Sequence, residues 1–185
     1  VNVTAYIGLG SNLGDRAATI DAAVAAIGLL DGVEVIAVSA LYETDPVGPP
    51  QPRYLNGAIA VVTLLSAPEL LRGLLEVERR LGRVRIDAER NAPRTIDLDL
   101  LLHGESIWRE AELEVPHARL LERAFVLIPL LEIAPNLCHP VNGCLLASAP
   151  AAIAPSGIAM WRPARSLDTH SERHQRSRDL SKGSS

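Results

Sequence analysis

The chain has 185 residues, 48% of them hydrophobic, two cysteines and a formal net charge of −4. That is enough for one domain with a sizeable core, and no apolar stretch approaches the roughly 18 residues that cross a bilayer. From Arg162 onward there are six Lys/Arg against three Asp/Glu, whereas residues 1–161 hold twelve against nineteen, and this acidic body excludes a broad nucleic-acid surface.

Val3–Leu9 has the pattern of a strand. "GSNLGD" then turns the chain, and Ser11 or Asp15 can cap a helix over Arg16–Leu30, where Ile20, Val24 and Ile27 recur at helical spacing. Gly32 ends it, and Val33–Leu41 alternates as a second strand. Residues 42–56, "YETDPVGPPQPRYLN", hold four prolines and a glycine, which forbid regular structure and predict a long functional loop. Ala58–Leu65 is a third, apolar strand. In "SAPELLRGLLEVERRLG" Ser66 caps a helix, Pro68 sits in its first turn and Gly82 stops it. Leu70, Leu71, Leu74, Leu75 and Leu81 are expected to face inward. A second polar loop, residues 83–94, carries Arg83, Arg85, Arg90 and Arg94. The strand "TIDLDLLLH" follows, then a short strand in "GESIW". One or two short helices broken at Pro129 come next, and then a tight turn at "VNGC". From Arg162 the apolar pattern is lost, so residues 162–185 are expected to form a disordered polar, basic tail behind a 1–161 domain. The order β-α-β-β-α-β predicts an α+β fold of ferredoxin-like type. Its antiparallel sheet has helices on one face and leaves the other free for a site.

The D-x-D strand is where chemistry enters. Alternation places Ile96, Leu98, Leu100 and Leu102 on one face and Thr95, Asp97, Asp99, Leu101 and His103 on the other. Two carboxylates about 6–7 Å apart along a strand repel unless a cation sits between them. Mg²⁺ suits that role, because it takes carboxylate oxygens and keeps phosphates as further ligands. Asp97 and Asp99 with Arg83 and Arg94 therefore supply what phosphoryl transfer needs: a metal site and cations that neutralise the moving group. In the acidic body every cation is arginine, a planar fork; the sole lysine is Lys182. There is no Walker A motif. The glycines of "GLGSNLG" fall at 8, 10 and 14, one position off a dinucleotide fingerprint, and are expected to belong to a turn and helix cap. Tyr54 and Asn56 share a face and suit a flat, hydrogen-bonding heterocycle. His117, after Pro116, can contact a phosphate or simply pack. Cys138 and Cys144 lack a metal-ligand spacing, and no secretory pattern opens the chain. Reduced thiols in a cytoplasmic protein are therefore expected.

Together, "GLGSNLGDR", "PVGPPQPRYLN", "GRVR", "PRTIDLDLLL", "VPH" and "RAFVLIPLLEIAP" resemble the 6-hydroxymethyl-7,8-dihydropterin pyrophosphokinase family of folate biosynthesis, from about Val3 to Pro150. The resemblance implies a ferredoxin-like α/β sandwich and transfer of pyrophosphate from ATP to the pterin hydroxymethyl, releasing AMP. Two Mg²⁺ ions would be held by Asp97 and Asp99, and Arg83 and Arg94 would stabilise the transferring group. Glu78, Arg85, Leu100, His117 and Arg123 would bind ATP. Thr44, Val47, Gly48, Tyr54 and Asn56 would line the pterin pocket, with Phe125 stacked on the ring. The implied enzyme is a monomer that binds neither nucleic acid nor membrane. The chain departs from the family pattern in its arginine loop, which has one extra residue in "RIDAER", Asn91 in place of a common tryptophan and Ala92 in place of glycine.

Overall fold

The computed structural model describes residues 1–46, 50–83 and 93–165. Its central sheet is antiparallel. Strand β1 (Val3–Ser11) pairs along its length with β4 (Tyr54–Thr63) on one side and with β5 (Asp97–His103) on the other. The far edge of β4 is shared by β2 (Val33–Val38), opposite Thr63–Ile59, and by β3 (Leu41–Thr44), opposite Asn56–Tyr54. The last strand, β8 (Ile158–Arg162), adds to β3. A separate hairpin joins β6 (Trp108–Glu110) to β7 (Leu113–Val115).

One face of the sheet is closed by α1 (Arg16–Ile27) and α2 (Ala67–Arg80). Asp15 caps α1 by accepting from the Ala18 N–H at 3.0 Å. At the start of α2 the Ser66 N–H and hydroxyl both donate to Glu69, at 2.8 and 2.6 Å. Leu70, Leu74 and Val77 of α2 are buried against Ala5, Ile7, Leu9, Leu98 and Leu100, while Leu71 and Leu81 pack at the edge of this core. The other face carries a second apolar cluster under α3 (Ala124–Ile133), built on Ala58, Leu101, Leu102, Val126, Leu127 and Leu130. The expected α+β architecture with an antiparallel sheet is present, but the second face is not wholly free: α3 covers half of it.

Several expectations are corrected. The strand expected over Val33–Leu41 ends at Val38, and pairing resumes at Leu41 and runs to Thr44, inside the expected loop. Tyr42 and Thr44 are buried, and the prolines that block pairing begin only at Pro46. Strand β4 likewise starts at Tyr54 rather than Ala58, and α1 ends at Ile27, three residues early. Pro129 does not break α3, because the buried Val126, Leu127 and Leu130 around it hold the helix by packing. The D-x-D strand alternates as expected up to Leu100. The register against β1 then slips by one, from Ile7 opposite Leu100 to Tyr6 opposite Leu102. This bulge turns Leu102 into the second cluster and sends His103 to the first face, where its Nε2 bonds the Leu65 carbonyl at 2.9 Å. Finally, Arg162 is not the start of a tail but the end of β8. Its guanidinium donates to both oxygens of Asp21 on α1, at 3.0 and 2.6 Å. Residues 166–185 lie outside the described residues. Cys138 and Cys144 are free and exposed. No described helix is long and apolar enough to cross a membrane.

Candidate active site

The uncovered half of the second face is laid out in rows by the strand registers. One row runs Tyr42, Asn56, Gly10, Asp97 across β3, β4, β1 and β5; the next runs Ala58, Gly8, Asp99. Each carboxylate therefore stands beside a glycine, and the floor between the acids and Asn56 carries no side chain. A Cβ at Gly10 would lie 3.3 Å from Asn56 Oδ1 and 3.6 Å from Asp97 Cβ. The cleft above this floor is open to solvent. Arg94 and Tyr54 form one wall, Thr44 and Asp45 another, and Arg123 and Phe125 stand at the α3 end.

The charges are arranged around Asp97. Its Oδ1 accepts from Arg83 Nη1 at 2.5 Å and its Oδ2 from Arg94 Nη1 at 2.8 Å. Arg83 is held in turn by Glu78, which is 2% exposed and also accepts the Leu98 N–H at 2.8 Å. Asp99 is set deeper. Burial, and then the charge of Asp97, push its carboxyl up to about 7. Arg123 opposes this rise, and its guanidinium lies 5.5 Å from the centre of the Phe125 ring. His117 follows a cis Val115–Pro116 bond and is anchored by its N–H to the Leu101 carbonyl at 2.9 Å. Its Nδ1 accepts the Arg119 N–H at 3.1 Å, which places the ring proton on Nε2. Burial, and then the charge of Arg123, hold this imidazole below its ordinary pKa.

Asn12 stitches the loops together. It is 2% exposed, exchanges hydrogen bonds with the Arg94 backbone at 3.2 and 2.8 Å, and donates to Gln51 and the Pro52 carbonyl at 3.0 and 3.2 Å. Tyr54 donates to the same Gln51 oxygen at 3.1 Å, and Asn56 donates to Thr44 Oγ1 at 2.7 Å. Asn56 thus reaches the cleft with its amide already oriented.

The profile of the 7,8-dihydro-6-hydroxymethylpterin-pyrophosphokinase family matches residues 6–135. The chain belongs to this family. It is accordingly a pyrophosphokinase of folate synthesis. A 2-amino-4-hydroxy-6-hydroxymethyldihydropteridine pyrophosphokinase of Synechocystis is 42% identical over 139 residues, 75% of this chain and 70% of that one. One from Pseudomonas aeruginosa is 46% identical over 136 residues, 73% and 83% of the two chains. The folic acid synthesis protein fol1 of Schizosaccharomyces pombe is 37% identical over 86% of this chain, which spans only 22% of that longer protein. Among solved structures, the wild-type Plasmodium falciparum HPPK-DHPS crystallised with pteroate superposes with a TM-score of 0.63. That match has 13% identity and covers 79% of this chain and 43% of that one, so it supports the fold alone.

The structure gathers most of the residues that the family resemblance implied. Thr44, Tyr54, Asn56 and Phe125 line one part of the cleft, and Arg94, Asp97, Asp99 and Arg123 line the rest. Arg83 reaches in through Asp97, and Glu78 stands behind the site, holding Arg83 and the Leu98 N–H. Leu100 is different: its side chain is buried in the first core, behind the sheet. Its parity is that of Leu98, whose N–H points out of the β5 edge to Glu78, so a ligand can meet Leu100 only through backbone. Val47, Gly48 and Arg85 lie outside the described residues, as do Asn91 and Ala92. Sequence reasoning missed Gly8, Gly10 and Asn12. The usable signal was a pair of glycines two apart within a strand, matching the two-residue spacing of the aspartates.

The donor set at the floor is two carboxylates flanked by glycines. Among the described residues no group of three His, Cys, Asp or Glu could hold a metal ion. Such a pair suits a hard cation that draws its remaining oxygen ligands from water or phosphate, as Mg²⁺ does.

Proposed function

We propose that the chain transfers pyrophosphate from ATP to the hydroxymethyl oxygen of 6-hydroxymethyl-7,8-dihydropterin, giving AMP and the pterin diphosphate. Asp97 and Asp99 would hold two Mg²⁺ ions, which supply charge neutralisation at the phosphates. The observation that carries this reading is the row pattern: the acid pair, the bare glycine floor and the oriented Asn56 amide occupy one cleft. Phosphate chemistry and heterocycle recognition are thereby side by side.

The chain's own residues divide the work. Asn56, held by Thr44, presents its amide to the edge of a flat heterocycle, and Phe125 covers the ring face. Arg83 and Arg94 pair with Asp97 and are within reach of phosphates bound in the cleft. There they would offset charge on the group in flight, as the bond between α- and β-phosphate breaks and that to the pterin oxygen forms. His117, neutral and with Nε2–H free to donate, and Arg123 would contact the nucleotide from the α3 side. Leu100 would do so through its backbone at the β5 edge.

The test is to incubate the protein with ATP, Mg²⁺ and the pterin and to identify the nucleotide product. AMP that appears only with pterin supports pyrophosphoryl transfer. ADP, or AMP formed without pterin, overturns it.

A further inference from the structure

A polar tie remote from the acid pair joins α3 to the corner between β2 and β3. Strand β2 ends at Val38 and β3 begins at Leu41, so the Ala40 N–H between them lies outside the sheet ladder. It donates to both carboxylate oxygens of Glu132 on α3, each at 3.1 Å. Two residues on, the Tyr42 hydroxyl donates to Glu132 Oε2 at 2.9 Å. Burial, and then Glu132 itself, push that phenol up to about 12, so it stays a donor. Ser39 completes the corner: its hydroxyl donates to the Ala40 carbonyl at 2.7 Å and accepts the Ala58 N–H at 2.9 Å.

The corner is joined through β3 and α3 to residues that line the pocket. Tyr42 lies in the same cross-sheet row as Asn56, and Thr44, two residues along β3, accepts the Asn56 amide. On α3, Glu132 is seven residues from Phe125, so the two share one helix face about 10 Å apart. Most other contacts of α3 with the sheet side are apolar and non-directional, through Val126, Leu127 and Leu130. A helix seated only on such contacts can slide; three hydrogen bonds to one carboxylate pin its position along β3.

We propose that Glu132 is a positioning residue for the pterin: by tying α3 to the β2–β3 corner it sets the spacing of Phe125 and Asn56, between which the flat ring fits. This rests on the pterin reading above. Glu132 would act on neither ATP nor the phosphates, since its partners are Ala40 and Tyr42 alone among the described contacts.

The experiment is steady-state kinetics of the full chain as wild type, E132A, E132Q and Y42F, with melting temperatures measured in parallel. E132A should raise the KM for the pterin about tenfold, the scale of a lost hydrogen bond to a charged group. Its KM for ATP and its kcat should stay within about twofold, as expected when binding alone is lost. Y42F, which removes one leg of the tie, and E132Q, whose amide oxygen still accepts, should fall between E132A and wild type. An unchanged pterin KM in E132A and Y42F, or equal loss for both substrates, overturns the inference even if melting falls. Should E132A not fold, Y42F and E132Q decide on the same criterion. A wild type that makes no pterin-dependent AMP instead overturns the functional reading, and the inference with it.

Discussion

The two faces of the sheet are built from the same strands and do opposite things. On the first, Ile7 and Leu9 of β1 and Leu98 and Leu100 of β5 meet Leu70 and Leu74 of α2 in a closed apolar core. On the second, the alternate residues of the same strands are Gly8, Gly10, Asp97 and Asp99. One face spends every second residue on packing. The other gives up side-chain volume beside the acids and sets one carboxyl, Asp99, where burial outweighs the pull of Arg123 and Arg83. The stability of the chain comes from the first face and from the half of the second under α3, and the bare half is held open by them.

Mutations should separate the two faces. The largest effect belongs to Asp97→Ala, which should lower turnover about a thousandfold, the scale for losing a preorganised electrostatic group. Because Asp97 is the partner of both Arg83 and Arg94, the variant should also melt earlier, the opposite of what relief of repulsion between two acids would give. Product assays and thermal melts on one preparation check both parts. Leu74→Ala, fully buried on the first face, should cost about 2–5 kcal/mol of stability while leaving kcat unchanged below its melting range. Denaturant titration beside kinetics would break the contrast if turnover fell as well.

Gly10→Ala should do the reverse at smaller scale. Alanine in a strand is favoured over glycine by about 0.5–1 kcal/mol, so the fold should hold or gain. The new methyl would press on Asn56 Oδ1 at 3.3 Å and should raise the pterin KM about tenfold, one displaced hydrogen bond. A KM like wild type would mean the bare floor is not what admits the ring.

The smallest effect is on pH. Asp99 rises in the fold from 3.8 to about 7, so the folded chain binds its proton more tightly than the unfolded chain does. The stability this contributes is present at low pH and is lost as pH rises through about 7, by at most about 1.4 kcal/mol per pH unit. His117 is shifted down, so its contribution is lost as pH falls through its ordinary value of 6.5. The Asp99 loss spans 3.8 to about 7 and levels off above, and His117 opposes it below 6.5, so metal-free protein should melt earlier as pH rises most clearly between 6.5 and about 7. Asp99→Asn should abolish that slope, and melts across the window in chelator would show it.

Much of the site was legible along the chain, because strand periodicity is local. Asp97 and Asp99 on one face with Leu98 behind them follow from alternation alone, and the capped helices follow from Asp15, Ser66 and Glu69. The failures share one cause. Gly8 and Gly10 looked like a failed phosphate loop, since their meaning depends on β1 lying beside β5, more than 80 residues away in sequence. The turn at Leu102 comes from a bulge, which belongs to two strands and is written in neither. Pro129 predicted a break that packing overrode, and "GIAMWR" became a strand only because the free edge of β3 and Asp21 were there to receive it.

By itself, then, the sequence determined β1, β5 and the two capped helices, the acid pair with its arginines, and a family resemblance specific enough to name the chemistry. Periodicity, caps and short motifs are properties of neighbours in the chain. The tertiary structure alone decided that glycines would face the aspartates, that Arg83 and Arg94 would both pair with Asp97, and that Glu132 would hold α3 to β3. Each of these depends on the register of one element against another. Register is set by the summed packing of both faces rather than by any residue at the site.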